Sequence, residues 1–454
     1  MANLSLRDYL SELDKNDCTD ILKTDVEVPQ DFIVTALALT LEQQKKFPVL
    51  YFSHVSGSHM PILANIFSDR ERIARILGCN KDKISQRWAE IEKNPIKPII
   101  VDGGPVQEVS TRDKEVDVTQ LPIMKHFETD AGQYVTSGIL VAKDPDTGIR
   151  NLSFHRMQLK EPNKFGVSFH SRQHLFDYFQ RAEKQDHPLE VAVIIGAHPA
   201  LLLAASAKPG INVDEYEIAG AILGEPLELV KGVTVDVEYP AAAEIVLEGR
   251  ILPHVREPEG PFAEYTGYST SRSTENVLEV TAVCSRKDPI YLSVVPGPSS
   301  DHLHLMRVAK EASVLQKLQE KISWVRAISY PKSGVNFHCF LSMAQAPEGI
   351  ARLALTLLFG LDPYPKLAVI VDDDVDVDDE EAVWWAVATR AQGDKDIMII
   401  PKVFTSPLDP SSEGGMSAKV GIDATMKEKV RKEVVVCRLA PEHINQAKRL
   451  VGLK

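Results

Sequence analysis

No two cysteines stand in a C-x-x-C spacing in this sequence, and the five present, Cys18, Cys79, Cys284, Cys339 and Cys437, are odd in number and scattered. That pattern argues against a disulfide frame and for reduced thiols in a cytoplasm. Positive charge is also scarce: 51 Lys and Arg face 64 Asp and Glu, a net charge of −13. Such a chain cannot neutralise phosphates along a nucleic acid or an anionic membrane, so neither is an expected partner. No apolar run is long enough to span a bilayer without charges. The opening, MANLSLRDYLSELDKND, carries charges every few residues rather than an apolar stretch with a cleavage site, and cytoplasmic localisation is the expectation. There is no internal repeat and no low-complexity tail.

What is present fits several domains, because 454 residues exceed one ordinary core. Residues 1–120 mix helical periodicity (SLRDYLSELDK, RERIARILG) with short apolar runs (FPVLYF, KPIIVDGG), which predicts an α/β part. Residues 121–304 alternate apolar and β-branched positions between turn signals such as DPDTG, SRKDP and PGPSS, which predicts a mostly β domain. In residues 305–322, Val308, Leu315, Leu318 and Ile322 share one helical face, which predicts a connecting helix. Residues 323–454 return to alternating strands and helices, a second α/β unit.

Some conspicuous stretches carry little chemistry. In VDDDVDVDDEEAVWWAVATR, Asp372, Asp374 and Asp376 alternate, but a calcium loop would need glycine and glutamate where Val377 and Val383 stand. A strand end leading into an acid-rich helix N-terminus is the better account. HSRQH offers His170 and His174 four apart but has Ser171 where a zinc protease has glutamate. The glycines of SSEGGMSAKVGIDAT do not fit a phosphate loop around Lys419, and a turn is expected.

The stretch EPEGPFAEYTGY, Glu257 to Tyr268, is different, since it gathers three carboxylates among two prolines and two glycines. Upstream, NLSFHRMQ puts Asn151, Ser153 and His155 on one strand face and Leu152, Phe154 and Arg156 on the other. An arginine beside Phe and Leu needs an anionic partner if that face is buried. Glu259 and Glu264 are available, and Gly260-Pro261 should break the extended backbone so that both converge. Two close acids resist ionising together, so one stays protonated as a donor while arginine holds the other ionised. On these residues alone, a purely structural Arg–Glu network stands beside that reading.

Taken together, NLSFHR, SRQH, DEYEIAGAILG, AAAEIVLEG, PEGPFAEYTGY, VDDDVDV, WAVATR and AKVGIDAT, in this order over nearly the whole chain, resemble the UbiD family of reversible, non-oxidative decarboxylases that use prenylated FMN. The resemblance implies a Glu-Arg-Glu network of Arg156, Glu259 and Glu264, with Glu264 as the acid/base and Glu259 coupled to Arg156. It implies that Asn151, His174 and Glu215 hold Mn2+ or Mg2+ against the flavin phosphate. Ser153, Arg156 and Gln173 join them around the cofactor, with Lys366 as a phosphate contact. The family pattern also has a potassium ion near the position of AKPGINVDE, and the placement of Pro209 departs from that pattern. The implied fold is an N-terminal α/β part, a flavin-reductase-like split β-barrel, a connecting helix and a C-terminal α/β oligomerisation domain. Dimers or hexamers are implied too, with a flavin prenyltransferase as cofactor supplier and carbon dioxide as product. An ordinary flavin reductase and a non-catalytic flavin carrier are the competing classes, but neither has a use for paired glutamates on an arginine.

For the substrate, SSDHLHLMRVAKE carries His302, His304 and Arg307 where the family pattern places the substrate end of the pocket. Donors there suit a second anionic group, since arginine engages a carboxylate bidentately. Furan-2,5-dicarboxylate, in the manner of the furandicarboxylate branch, is the expected substrate, with hydroxybenzoate-type acids next. Helix capping or subunit contacts by the same three residues is the alternative.

Overall fold

A computed structural model describes residues 5–15, 21–169, 174–271, 273–437 and 439–452. Cys18, His170 and Gln173 therefore lie outside the described residues. The helices Leu6–Lys15 and Arg70–Leu77 form where the periodicity placed them. The second is bounded by Asp69, whose carboxylate accepts the Glu71 N–H, and by Gly78 in the left-handed conformation. The first α/β part carries a four-stranded sheet ordered Ile21–Thr24, Val49–Phe52, Ile62–Ala64, Tyr291–Ser293. Its last strand comes from far along the chain, so this sheet ties the N-terminal part to the end of the β-rich region.

The middle of the chain is a nine-stranded sheet of antiparallel pairs, curled into a half-barrel. Its spine is the pair Ile245–Glu259 and Ser273–Ser285, whose register shifts at Glu248/Gly249 and again at Ile251/Arg256. Such shifts bend a sheet. Gly249 is required at the first one, because a Cβ there would collide with the carbonyl of Glu279. The run HPLEVAVIIGAHPALLLAASA divides into the buried strand Leu189–Ile195 and the buried helix Pro199–Ala205.

The long helix Ser300–Lys321 starts at Ser299, whose hydroxyl accepts the His302 N–H. Leu305, Val308, Ala309 and Ala312 pack into the core shared by the first two parts, whereas Val314, Leu315, Leu318 and Ile322 pack into the C-terminal core. One helix thus belongs to two cores. The C-terminal sheet runs Val325–Ser329, His338–Met343, Leu367–Asp372, Met416–Ala424, Ile397–Phe404. As expected, the acidic run ends a strand and then opens the helix Glu380–Arg390, capped by Asp379. Asp372 and Asp374 both pair with Arg390, which accounts for their charge without a metal. Among the described residues no helix is long and apolar enough to cross a membrane.

Candidate active site

The strand Arg150–Phe154 stops just before His155 and Arg156, and the strand Met157–Glu161 resumes after them. The faces read from NLSFHRMQ persist through that break. Ser153 Oγ lies 3.4 Å from Asn151 Oδ1 and 3.0 Å from His155 Nε2, linking one face, while Arg156 turns the other way. Arg156 Nε donates to Glu259 Oε1 at 3.0 Å and Nη2 to Oε2 at 2.8 Å, a two-bond fork. Its Nη1 donates to Glu264. Glu259 is the last residue of its strand; Gly260 comes next with φ +83°, and the chain turns so that Glu264 returns to the same guanidinium. Glu259 is wholly buried, Glu264 only 13 % exposed. Burial works against the Arg156 charge, but the hydrogen bonds and charge of Glu259, then the charge of Glu264, outweigh it and hold Arg156 above its ordinary pKa. The Phe262 ring covers the guanidinium, 5.2 Å from its carbon.

Two supports of this network have no signal in the sequence. Tyr134 places its ring 4.6 Å from that of Phe262 and its hydroxyl beside Glu259, and burial followed by the Glu259 charge pushes its pKa up. Asp130 accepts the Ala263 N–H at 2.9 Å and the Phe127 N–H at 2.8 Å, pinning the turn that carries Glu264. The strand pairing of Tyr134 with Gln158 and backbone contacts to the turn at residues 261–263 bring these groups in.

A second cluster lies on the opposite face of the Arg150–Phe154 strand. Glu215 sits at the start of the helix Glu215–Leu223, where Asp214 caps. Asn151 Nδ2 donates to Glu215 Oε1 and the Leu152 N–H to Oε2, each at 2.8 Å. Burial pushes the Glu215 pKa up to about 8 against those hydrogen bonds. The neighbouring cation Arg150 is taken by Asp214 and Glu238. His174 opens the helix His174–Lys184, one turn ahead of Tyr178. The Tyr178 phenol is raised to about 12 by burial, then by the charges of Asp144 and Glu215. The Asn151 amide and the buried Glu215 carboxylate, joined to each other, are ligand types that a hard divalent cation such as Mn2+ or Mg2+ takes.

The remaining expected residues lie toward the C-terminal domain. Lys366 Nζ is held by Asp409 at 2.9 Å and by Ser411, over the Phe337 ring. His302 Nδ1 donates to the Gly297 carbonyl at 3.1 Å, and His304 Nδ1 to the Phe67 carbonyl at 3.0 Å. Burial lowers both imidazoles, to about 4 and about 3, so they are neutral donors rather than cations. Arg307 is buried and donates from Nε to Asn336 at 2.7 Å and from Nη1 to the Tyr330 carbonyl at 2.8 Å. His304 and Arg307 thus join the helix to neighbouring segments of the same chain. Instead, the same helix turns Leu303 and Met306 toward Tyr265, the neighbour of Glu264, together with Phe337 and Leu408.

Residues 14–91, 99–299 and 303–424 match, in turn, the N-terminal, Rift-related and C-terminal domains described for 3-octaprenyl-4-hydroxybenzoate carboxy-lyase, UbiD. The chain belongs to the UbiD family and is a decarboxylase, a carboxy-lyase. It is 35% identical over 401 residues to an anhydromevalonate phosphate decarboxylase of Methanothermobacter thermautotrophicus, covering 88% of this chain and 93% of that relative. Among solved structures it resembles the UbiD-class enzyme HmfF from Pelotomaculum thermopropionicum in complex with FMN, at 38% identity and TM-score 0.92, covering 97% of this chain and 98% of that one. An evolved dimeric form of HmfF in complex with prFMN gives 37% identity and TM-score 0.88 over the same shares.

Proposed function

We propose that this chain reversibly decarboxylates an aromatic or heteroaromatic acid on prenylated FMN, with conversion of furan-2,5-dicarboxylate to 2-furoate as the best assignment. The observation that carries this reading is the convergence of Glu259 and Glu264 on the one buried guanidinium of Arg156. Arg156 commits two donors to Glu259 and one to Glu264, so Glu259 is the better-held anion and Glu264 the freer carboxyl. Glu264 delivers its proton to the carbon that loses carbon dioxide and regains one for the next turnover. Phe262 and Tyr134 keep water from the guanidinium, which strengthens its hold on both carboxylates.

When bound, prenylated FMN supplies the electron sink for the pair left behind as carbon dioxide departs. Asn151, His174 and Glu215 would hold Mn2+ or Mg2+, with Ser153, Gln173 and Lys366 alongside for the cofactor. The relative bound to prFMN supports the cofactor. The burial of Glu215 against the Asn151 amide supports the metal. His302 stays with the substrate wall, since it lies on the Met306 side of the long helix. The C-terminal domain is assigned to self-assembly as a dimer or hexamer, supported by its exposed Trp384, Trp385, Ile399 and Phe404.

The test is purification from cells that also make a flavin prenyltransferase, absorbance for the modified flavin, and carbon dioxide release from a panel of aromatic and heteroaromatic acids. Release from furan-2,5-dicarboxylate is expected. Flavin binding with no release from any acid would point to a carrier, and nicotinamide-driven flavin reduction alone to a reductase.

A further inference from the structure

The long helix presents Leu303, Met306 and Lys310 at i, i+3 and i+7, one stripe on its surface. Leu303 and Met306 line an apolar patch with Tyr265, Phe337 and Leu408, between the half-barrel and the C-terminal domain. Lys310 continues the stripe: its Nζ lies 2.6 Å from Asp362, 4.3 Å from the centre of the Tyr330 ring and 5.1 Å from that of Tyr364. Patch and lysine are thus successive turns of one helix face.

Lys208 approaches from the half-barrel side, three residues after the helix Pro199–Ala205. It is exposed to solvent, and the charges of Lys310 and Asp362 act on it. No carboxylate pairs with it among the described residues. Asp362 is already shared: it takes Lys310, the Tyr330 hydroxyl at 2.7 Å and the Tyr364 N–H at 3.1 Å. Lys419, buried with its ammonium on the Pro363 carbonyl, also lies within reach of the Asp362 charge. Three lysines therefore surround one carboxylate, a local positive excess in a chain of net charge −13.

We propose that Lys310 and Lys208 form the anion-binding position for the non-reacting acidic group of the substrate, next to the apolar patch of Leu303, Met306 and Phe337. The inference rests on the decarboxylase reading and names its substrate class: an unsaturated or heteroaromatic acid with a second anionic group. Apolar side chains suit a flat ring, and paired ammonium groups suit an anion at its far edge. Carboxylate and phosphate monoester share this chemistry, and the two sources are separable.

Lys310→Met and Lys208→Met keep an apolar stem and remove the charge; Lys310→Arg restores it. Each is loaded with cofactor, and flavin content and kcat/KM are measured for furan-2,5-dicarboxylate, for 2-furoate and for an unsaturated acid bearing a phosphate monoester. Substrate binding is followed by calorimetry. The expected result is a fall of about 30-fold or more in the preference for a dianionic acid over 2-furoate in Lys310→Met, partly restored in Lys310→Arg, with flavin content as in the parent. Whichever dianionic acid loses its preference identifies the anion. Equal losses on all three acids would overturn the proposal. So would a loss of flavin content in the lysine variants, which would assign the position to the cofactor's phosphate. Carbon dioxide release by the parent enzyme from any acid upholds the decarboxylase reading independently.

Discussion

Glu259 and Arg156 are joined as a closed fork, 3.0 Å from Nε to Oε1 and 2.8 Å from Nη2 to Oε2, at a carboxylate with no solvent exposure. Glu264 receives the one nitrogen left over. Two glutamates five residues apart therefore have unequal claims on one cation, and that inequality separates a fixed anion from a movable proton.

Glu264→Gln keeps the shape and accepts the Arg156 Nη1–H but cannot deliver a proton. It is expected to retain flavin and lose carbon dioxide release by about 100-fold or more, the usual scale of general acid catalysis. Turnover like the parent's would remove Glu264 from the acid role.

Arg156→Ala leaves Glu259 buried without its cation. Breaking such a pair costs about 3–5 kcal/mol, so the variant is expected to melt well below the parent and to be inactive. Calorimetric melting of the two proteins side by side checks this. An unchanged melting temperature would mean that water or a neighbour already satisfies Glu259.

Glu215→Ala and His174→Ala address the second cluster. If these side chains hold a divalent cation, metal and flavin should fall together, because the phosphate then lacks its bridging charge. Elemental analysis and flavin absorbance on the same sample decide it, with circular dichroism to show that the fold is intact. Full metal content in both variants would separate the cluster from metal binding.

The Arg156 network was legible in the sequence because each half carries its own local signal, an arginine beside Phe and Leu and a Gly-Pro break between two glutamates, although the halves lie more than 100 residues apart. Asp130 and Tyr134 were not legible, since one acts through the backbone of Ala263 and the other through a strand register. The long helix shows the same limit. Its period picked out Val308, Leu315, Leu318 and Ile322, all buried. Its first half is enclosed on several sides, however, so Leu303, Leu305, Arg307 and Val308 are all buried, and periodicity alone could not say which flank meets Tyr265. Burial also made neutral donors of His302 and His304, which composition presents as cationic candidates. Similarly, the buried Arg307 is consumed by Asn336 and Tyr330, partners that no local pattern ties to it.

The last prediction concerns pH and stability. His198 caps the helix Pro199–Ala205 by accepting the Ala200 N–H on Nδ1 at 3.1 Å, a role open only to a ring nitrogen without a proton. Burial lowers its pKa to about 4, against the nearby charge of Asp8, and the Tyr9 ring stands edge-on 5.6 Å away. In the unfolded chain the same group titrates near ~6.5. Between those two values the unfolded state binds more protons than the folded one, so stability rises with pH. The contribution is complete above about pH 6.5 and is lost as the pH falls toward about 4. At about 1.4 kcal/mol per pH unit, this one site removes about 2 kcal/mol on going to about pH 5. His198→Asn keeps an acceptor at the cap and removes the titration. The other buried histidines, His126, His302 and His304, remain in both proteins and cancel in the comparison. The melting temperature of His198→Asn should therefore drop less between about pH 7 and about pH 5 than that of the parent, while the two proteins melt together near neutrality. Equal drops would mean that His198 keeps its cap when protonated, and that the acid sensitivity of the fold lies elsewhere.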